Sequence, residues 1–382
     1  MNIALMINSL GFGGAERVIA DLSVHLAKRG MKVFLFLMDD SKIAYPYGGT
    51  IVPISFTSRP LGLLTPLMSW QHLVKTAAAK KKHKIDVTIS AMEYLNFINL
   101  WTGHDRRIAT LHNYRFQQEV TPTAKDRFIE KIFTRFAARN RAIVCVSRAI
   151  EEKARALYPG VDIKTIYNSV DLAQVTDKID SDPQLPMPIP LGAYTFVHAG
   201  RLSAQKAQDR LLRAFARVYT RESRARLLIL GGGEEEGKLK ALAGALGIAE
   251  AVHFTGFVDN PFYYVSRCRA FVLSSEYEGF GNVIIEALAC GTPVLSTDCK
   301  SGPREILSPH SDIHQQCAAV EVGEYGLLTA LDDESLASGM EMLLRDEAMH
   351  ARFAQTAKAR ARDFAADGMI NHWLDLLKKV MA

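Results

Sequence analysis

The chain has 382 residues, 48% of them hydrophobic and 23% charged, with a formal net charge of +5, and that length accommodates two cores more readily than one. These proportions exclude a disordered, collagenous or disulfide-scaffold protein, and no apolar run approaches the roughly 20 residues of a membrane-spanning helix. Five scattered cysteines (Cys145, Cys268, Cys290, Cys299, Cys317) form neither a CxxC pair nor a zinc-like spacing, which predicts reduced thiols in a reducing compartment; MNIALMINS has no basic stretch before its apolar run, which argues against a secretory signal.

The first elements alternate. IALMIN reads as a buried strand and Gly11, Gly13 and Gly14 as a loop. The segment 15–30 then carries Val18, Leu22 and Leu26 at helical spacing and stops at Gly30. KVFLFLM follows as a second strand. Strand, glycine loop, helix and strand make a βαβ unit, so a parallel sheet covered on both faces is expected. IDVTIS, RIATLHN and AIVCVS extend the series to residue 147, and DSDPQLPMPIPLG, with four prolines in 183–190, reads as a linker.

Beyond the linker the alternation restarts. TFVHAGRL, ARLLILGGG, AVHFTGF, AFVLSS and TPVLST read as strands, with helices expected at 207–219, 234–246, 261–268 and 282–290 and a closing set near 333–345, 347–365 and 367–381. The expected fold is α/β: two doubly wound parallel-sheet (Rossmann-like) domains facing across a cleft. The expected bounds are 1–172 for the first domain, 173–192 for the linker, 193–366 for the second domain and 367–382 for the closing helix. Ligands of such sheets sit at the carboxyl ends of the strands.

Two stretches at such ends carry chemistry. In EYEGFGNVIIEALACG, Gly279 and Gly281 allow close backbone approach, Asn282 is the expected N-cap, and the N–H groups of Asn282, Val283 and Ile284 would form an anion site fit for a diphosphate. Glu286, one turn in, suits two vicinal hydroxyls such as a ribose presents, and Glu278 would reach the cleft from the other side of the phosphates. Acids in the first turns of a helix also favour its dipole with no ligand at all. In HAGRLSAQKAQ, Arg201 and Lys206 stand five residues apart past a strand end, where a guanidinium fork and an ammonium point charge can clamp one pyrophosphate.

Taken in order, G-G-A-E-R at 13–17, H-A-G-R-L-S-x-x-K at 198–206 and E-G-F-G-N-V-x-x-E-A at 278–287 resemble the GT-B retaining glycosyltransferases of family 4 over nearly the whole chain. CGTPVLSTDCKSGPREIL at 290–307 is similar to members that extend bacterial lipid-linked oligosaccharides and surface polysaccharides. The resemblance implies a UDP-sugar donor in the second domain and a lipid-diphosphate saccharide acceptor in the first. It also implies that Arg201 and Lys206 hold the donor diphosphate, Glu286 the ribose and Glu278 the sugar hydroxyls. Gly13 and Gly14 would cover the phosphates, Val258 in GFVDN would touch the base, and His112 in ATLHNYR would lie near the reacting sugar. A histidine at a strand end otherwise reads as structural. Fixed cations and a helix start stabilise a departing diphosphate without a metal, so neither metal nor cofactor is expected. The resemblance implies retention; because no residue is an obvious nucleophile for a double displacement, a same-face route is expected, and an N-acetylhexosamine (GalNAc or GlcNAc) is the expected sugar.

Residues 1–171 hold 24 Lys+Arg against 14 Asp+Glu, or +10, and the remainder 22 against 27, or −5. The basic half is expected to meet something anionic. Arg127, Lys131, Arg135 and Arg139 recur every four residues, which on a helix makes one basic stripe. Lys75, Lys80, Lys81 and Lys82 follow an apolar stretch holding Leu61, Leu63, Leu64, Leu67, Met68 and Trp70. Both clusters also suit solvated helix faces. Together, in the half that should hold the acceptor, they predict a cytoplasmic enzyme peripheral on an anionic membrane, with no nucleic-acid partner. A dinucleotide oxidoreductase fits less well, because Glu16 stands where G-x-G-x-x-G needs its last glycine. A sugar-nucleotide epimerase on the same scaffold would need an acid/base set that the sequence does not display. A non-catalytic lipid or nucleic-acid binder would leave Arg201, Lys206 and the paired acids unexplained.

Overall fold

The computed structural model describes residues 1–55, 65–103, 105–113, 124–181 and 191–382. The apolar residues Leu61, Leu63 and Leu64 and the prolines of 183–190 lie outside them, as do the side chains of Leu67 and Met68. The chain forms two compact units, Met1–Asn168 with Asp367–Ala382 and Ser169–Ala366.

The first unit is built on β1 (Asn2–Ile7), β2 (Lys32–Leu37), β3 (Thr50–Pro53), β4 (Val87–Ala91), β5 (Arg106–Leu111), β6 (Ala142–Cys145) and β7 (Ile163–Thr165), in the order β3-β2-β1-β4-β5-β6-β7 and parallel throughout. Strand alternation splits β1 between two cores. Ile3, Leu5 and Ile7 join one with Leu22 and Leu26, while Ala4 and Met6 join the other with Leu95 and Ile98. The closing helix Ala366–Met381 lays Ile370, Trp373, Leu376, Leu377 and Val380 into the first of these cores.

The second unit has β8 (Gly192–Ala199), β9 (Arg226–Leu230), β10 (Val252–Gly256), β11 (Cys268–Leu273), β12 (Val294–Thr297), β13 (Val320–Val322) and β14 (Leu327–Thr329), in the order β10-β9-β8-β11-β12-β14-β13. Only the β13–β14 pair is antiparallel. Helix Gln208–Arg221 buries Leu211, Phe215 and Val218, spaced at i, i+4 and i+7, against Phe196, Ile229 and Val272. Both sheets are therefore doubly wound, as the α/β pattern predicts. Their strand order reverses between β1 and β4 and between β8 and β11, the points where such sheets open at their carboxyl ends.

One expected boundary changes. The first unit stops at Asn168 rather than 172, and residues 173–180 of the expected linker lie in helix Leu172–Asp180 of the second unit. Asp171 caps it by accepting from the Gln174 amide at 3.0 Å, and Asn260 donates to the carbonyls of Lys178 and Ser181 at 2.7 and 3.1 Å. The capping signal precedes the proline cluster and prevails up to it. All five cysteines are free thiols, and among the described residues no helix is long and apolar enough to cross a membrane.

Candidate functional site

At the reversal point of the second unit, the loops after β8 and β11 are zipped together. Ser274 Oγ donates to the Lys206 carbonyl at 2.8 Å, the Glu276 amide to the Gln205 carbonyl at 2.9 Å, and Gln205 Nε2 to the Tyr277 carbonyl at 2.9 Å. Arg210 clips the same turn through the Ser274 carbonyl and Glu276. This zipper brings Lys206 and Glu278 together across 72 positions of sequence, with Lys206 Nζ 2.6 Å from Glu278 Oε1. The two side chains are 17% and 7% exposed. Ser275 Oγ donates to the same Oε1 at 2.6 Å. Oε1 is thus committed twice, and among the described residues Oε2 accepts nothing. Lys206 spends one of its three hydrogens on this bond. Arg201 is exposed, with no carboxylate paired to it among the described residues. The sequence reading gave Lys206 to the diphosphate and Glu278 to sugar hydroxyls, without a contact between them; the structure pairs the two side chains directly.

Helix Asn282–Ala289 begins beside this pair. Asn282 is its first residue rather than its N-cap. Gly281 takes the cap position at φ +91°, a left-handed conformation that admits glycine where asparagine would be strained, and no side chain caps the end. Ile284, Ile285, Ala287, Leu288 and Ala289 are buried, which leaves Asn282, Val283 and Glu286 on the one partly accessible face. The Ile284 amide, expected to join the anion site, is spent on the Gly281 carbonyl at 2.9 Å, and Asn282, Val283 and Glu286 share a side of the helix next to its first turn. Val258, which follows β10, is half-buried next to the exposed Phe257.

Behind these loops lies support that the sequence reading missed. His198 is fully buried; its Nδ1 donates to the Val272 carbonyl at 2.9 Å, and its Nε2 receives Gln208 Nε2 at 3.2 Å. Gln208 also donates to the Arg201 carbonyl at 2.8 Å, so the turn carrying Arg201 is tied to β11. Burial pushes the His198 imidazole down to about 4, which keeps it neutral and able to make both bonds. Arg304 lies between Asp298 and Glu321, its ion-pair contacts 2.5 and 2.8 Å long, and it fixes the turn before helix Pro303–Leu307. In that turn Ser301 Oγ donates to the Gly279 carbonyl at 2.6 Å.

Gly302 sits at φ +95°, and a Cβ there would stand 1.9 Å from the Phe280 carbonyl oxygen. Gly302→Ala is expected to lose about 1–3 kcal/mol from backbone strain alone, with more from the displaced carbonyl. Urea unfolding checks this against Gly160→Ala, where φ is +81° but nothing lies within 4 Å; equal losses would contradict the steric account.

In the first unit, Gly13 is the N-cap of helix Gly14–Lys28, and the Glu16 carboxylate lies 2.1 Å from where a Gly13 Cβ would stand. That carboxylate competes with any anion for the same helix start. His112 follows β5, partly accessible, with Nε2 2.8 Å from Thr110 Oγ1. Burial pushes its imidazole down to about 4.

The basic clusters divide. Lys81 and Lys82 are exposed at the end of helix Thr65–Lys82, and Arg127, Lys131 and Arg135 are exposed on helix Ala124–Phe136. Lys80 is not a surface cation. It is 3% exposed and donates to Asn99 Oδ1 (2.6 Å), the Thr102 carbonyl (3.0 Å) and Asp105 Oδ1 (3.0 Å). Burial pulls its ammonium down to about 8 despite the Asp105 carboxylate. Lys75 donates to the Ser55 carbonyl at 2.7 Å. Arg139 leaves the expected stripe, because the helix ends at Phe136; its guanidinium stacks on Trp101 and Phe136, 4.4 and 4.7 Å from the ring centres. Among the described residues no group of three or more His, Cys, Asp or Glu is placed to hold a metal ion.

Two family matches cover most of the chain. Residues 12–174 match Glycosyltransferase Family 4, and residues 186–360 match the glycosyl transferases group 1. The chain is a GT-B glycosyltransferase of family 4. It is similar to an uncharacterized glycosyltransferase of Methanocaldococcus jannaschii, 36% identical over 203 residues, about half of each chain. It is also similar to the N-acetylgalactosamine-N,N'-diacetylbacillosaminyl-diphospho-undecaprenol 4-alpha-N-acetylgalactosaminyltransferase of Campylobacter jejuni, 29% identical over 95% of both chains. Among solved structures, sucrose-phosphate synthase of Thermosynechococcus elongatus superposes with a TM-score of 0.79 at 19% identity, covering 99% of this glycosyltransferase and 98% of that chain. Anabaena HepE in complex with UDP superposes at 0.77 and 21%, covering 99% and 100%. These neighbours share the GT-B fold.

Proposed function

We propose that this glycosyltransferase moves an N-acetylhexosamine, GalNAc or GlcNAc, from a UDP-sugar to a saccharide on a lipid diphosphate, with retention and without a metal. The observation that carries the reading is the convergence, at one sheet reversal, of Arg201, the Lys206–Glu278 pair and the first turn of helix Asn282–Ala289. Departure of a nucleoside diphosphate builds negative charge on the leaving oxygens. Arg201, the two remaining Lys206 hydrogens and the amides of Asn282 and Val283 supply donors for that charge. Glu286, on the same accessible face, takes the ribose hydroxyls. Glu278, with Oε1 held by Lys206 and Ser275, offers Oε2 to a sugar hydroxyl. Val258 lies against the base, Gly13 and Gly14 contribute backbone to the phosphates once Glu16 moves aside, and His112 meets the sugar being transferred.

The Campylobacter relative, aligned over nearly its whole length, supports the lipid-diphosphate acceptor, and the UDP complex of Anabaena HepE supports the nucleotide. The exposed Lys81, Lys82, Arg127, Lys131 and Arg135, with the exposed rings of Trp70 and Phe128, support a peripheral placement on an anionic membrane, on the cytoplasmic face.

The test is a panel of UDP-sugars incubated with a polyprenyl-diphosphate saccharide in a chelator, read by mass spectrometry and by NMR of the new linkage. An added N-acetylhexosamine with the donor's anomeric configuration is expected. An inverted linkage would remove the same-face mechanism, and a sugar isomerised in the absence of acceptor would establish the epimerase instead.

A further inference from the structure

A continuous buried polar network runs through the first unit to His112. It starts at the Lys80–Asp105 pair, whose side chains are 3% and 2% exposed. Lys80 donates to Asn99 Oδ1, and Asn99 Nδ2 donates to Ser90 Oγ at 3.0 Å. Ser90 Oγ donates to Asn96 Oδ1 at 2.7 Å, and Asn96 Nδ2 donates to the Thr110 carbonyl at 3.0 Å. Ser90, Asn96, Asn99 and Thr110 are all 1% exposed or less. The network pins the end of β5 to β4 and to helix Glu93–Leu100.

Its last member decides a protonation question. Thr110 Oγ1 has one hydrogen and two neighbours, the Ser90 carbonyl at 2.9 Å and His112 Nε2 at 2.8 Å. A carbonyl oxygen only accepts, so the hydroxyl hydrogen goes to Ser90. The hydrogen between Thr110 and His112 then belongs to the imidazole. We infer that Thr110 is a positioning residue that holds His112 as the Nε2–H tautomer and thereby leaves Nδ1 as an acceptor for a hydroxyl of the transferred sugar. The tautomer part stands on the network alone; the hydroxyl rests on the proposed function. In this state His112 does not protonate the leaving group and carries no charge toward it. Its bond to Thr110 sets which nitrogen faces the ligand.

The experiment uses the full chain with 15N-labelled histidine, and His112→Gln assigns the His112 signals among the 11 histidines. A pyrrole-like Nε2 and a pyridine-like Nδ1 are expected in the wild type and in Thr110→Ser. Thr110→Val, of the same shape but without the hydroxyl, should shift His112 toward the other tautomer. A protonated Nδ1 in the wild type, or an unchanged pattern in Thr110→Val, overturns the inference. Kinetics tests the second half: Thr110→Val should lose roughly three- to tenfold in kcat/KM and Thr110→Ser should recover it. A set of deoxy donors should contain one with which wild type and Thr110→Val are equal. If every deoxy donor preserves the difference, the hydroxyl assignment fails. If no UDP-sugar turns over while the NMR pattern holds, the proposed function fails and the tautomer stands.

Discussion

Glu278→Gln is expected to lower kcat/KM by about 10²–10³, equivalent to about 3–4 kcal/mol of transition-state stabilisation, while leaving the protein folded. The expected cause is a reversal of hydrogen-bond polarity at one atom. The glutamine oxygen can still accept from Lys206 and Ser275, which hold Oε1 at 2.6 Å in the wild type. The amide nitrogen then occupies the place of Oε2 and presents hydrogens where the sugar hydroxyl needs an acceptor. The ammonium of Lys206 also loses its counter-charge, so its preference among phosphate oxygens changes. Steady-state kinetics on the matched donor and acceptor, with urea unfolding as the control for structure, makes the measurement. Activity within threefold of wild type would show that Glu278 is a structural partner of Lys206 and nothing more.

Lys80→Met is expected to destabilise the first unit by about 3–5 kcal/mol, the cost of stranding a buried carboxylate whose partner has been removed. Asp105 has a side chain 2% exposed, and Asn99 Oδ1 and the Thr102 carbonyl lose a donor in the same change. Replacing both charges, as Lys80→Met with Asp105→Leu, should recover much of the loss, because two apolar side chains leave no charge unpaired. The double-mutant cycle in urea unfolding therefore gives a large coupling energy. A cycle with coupling below about 0.5 kcal/mol would mean that the pair is solvated in solution. Charge reversal at Lys81 and Lys82, by contrast, should leave stability nearly untouched, since both are exposed.

The contrast among these lysines shows where sequence reasoning reaches its limit. The central strands were legible because β1, β4, β6, β11 and β12 are buried on both faces; β1, β6 and the end of β11 read as apolar runs, and β4 and β12 add only small hydroxyl residues to Val, Ile, Leu and Ala. Helix Gln208–Arg221 was legible through Leu211, Phe215 and Val218. The edge strands β3 and β13 and their neighbour β14, three or four residues long, carry too little pattern to be found. Helix Thr65–Lys82 misled because part of its inward face is polar: His72, Thr76 and Lys80, four residues apart, are 5%, 0% and 3% exposed. A lysine in a run of lysines reads as surface unless its carboxylate is known, and Asp105 lies 25 residues away. At the candidate site, residue types at a strand end pointed to Arg201, Lys206, Glu278 and Glu286. That Lys206 meets Glu278 depends on the zipper between two loops 72 positions apart, and the tie from Gln208 through His198 to Val272 on a strand pairing 74 positions apart.

The helix Ala366–Met381 closes a core that begins at Ile3. During synthesis, the first half of the polypeptide therefore emerges with its apolar surface uncovered. It must wait for about two hundred further residues, the whole of the second unit, before Trp373 and Leu376 arrive to complete it. The second unit, continuous from Ser169 to Ala366, has no such delay. Order of appearance from the ribosome and order of completion are thus inverted, and the early half is the one exposed to chaperones and to aggregation in the interval.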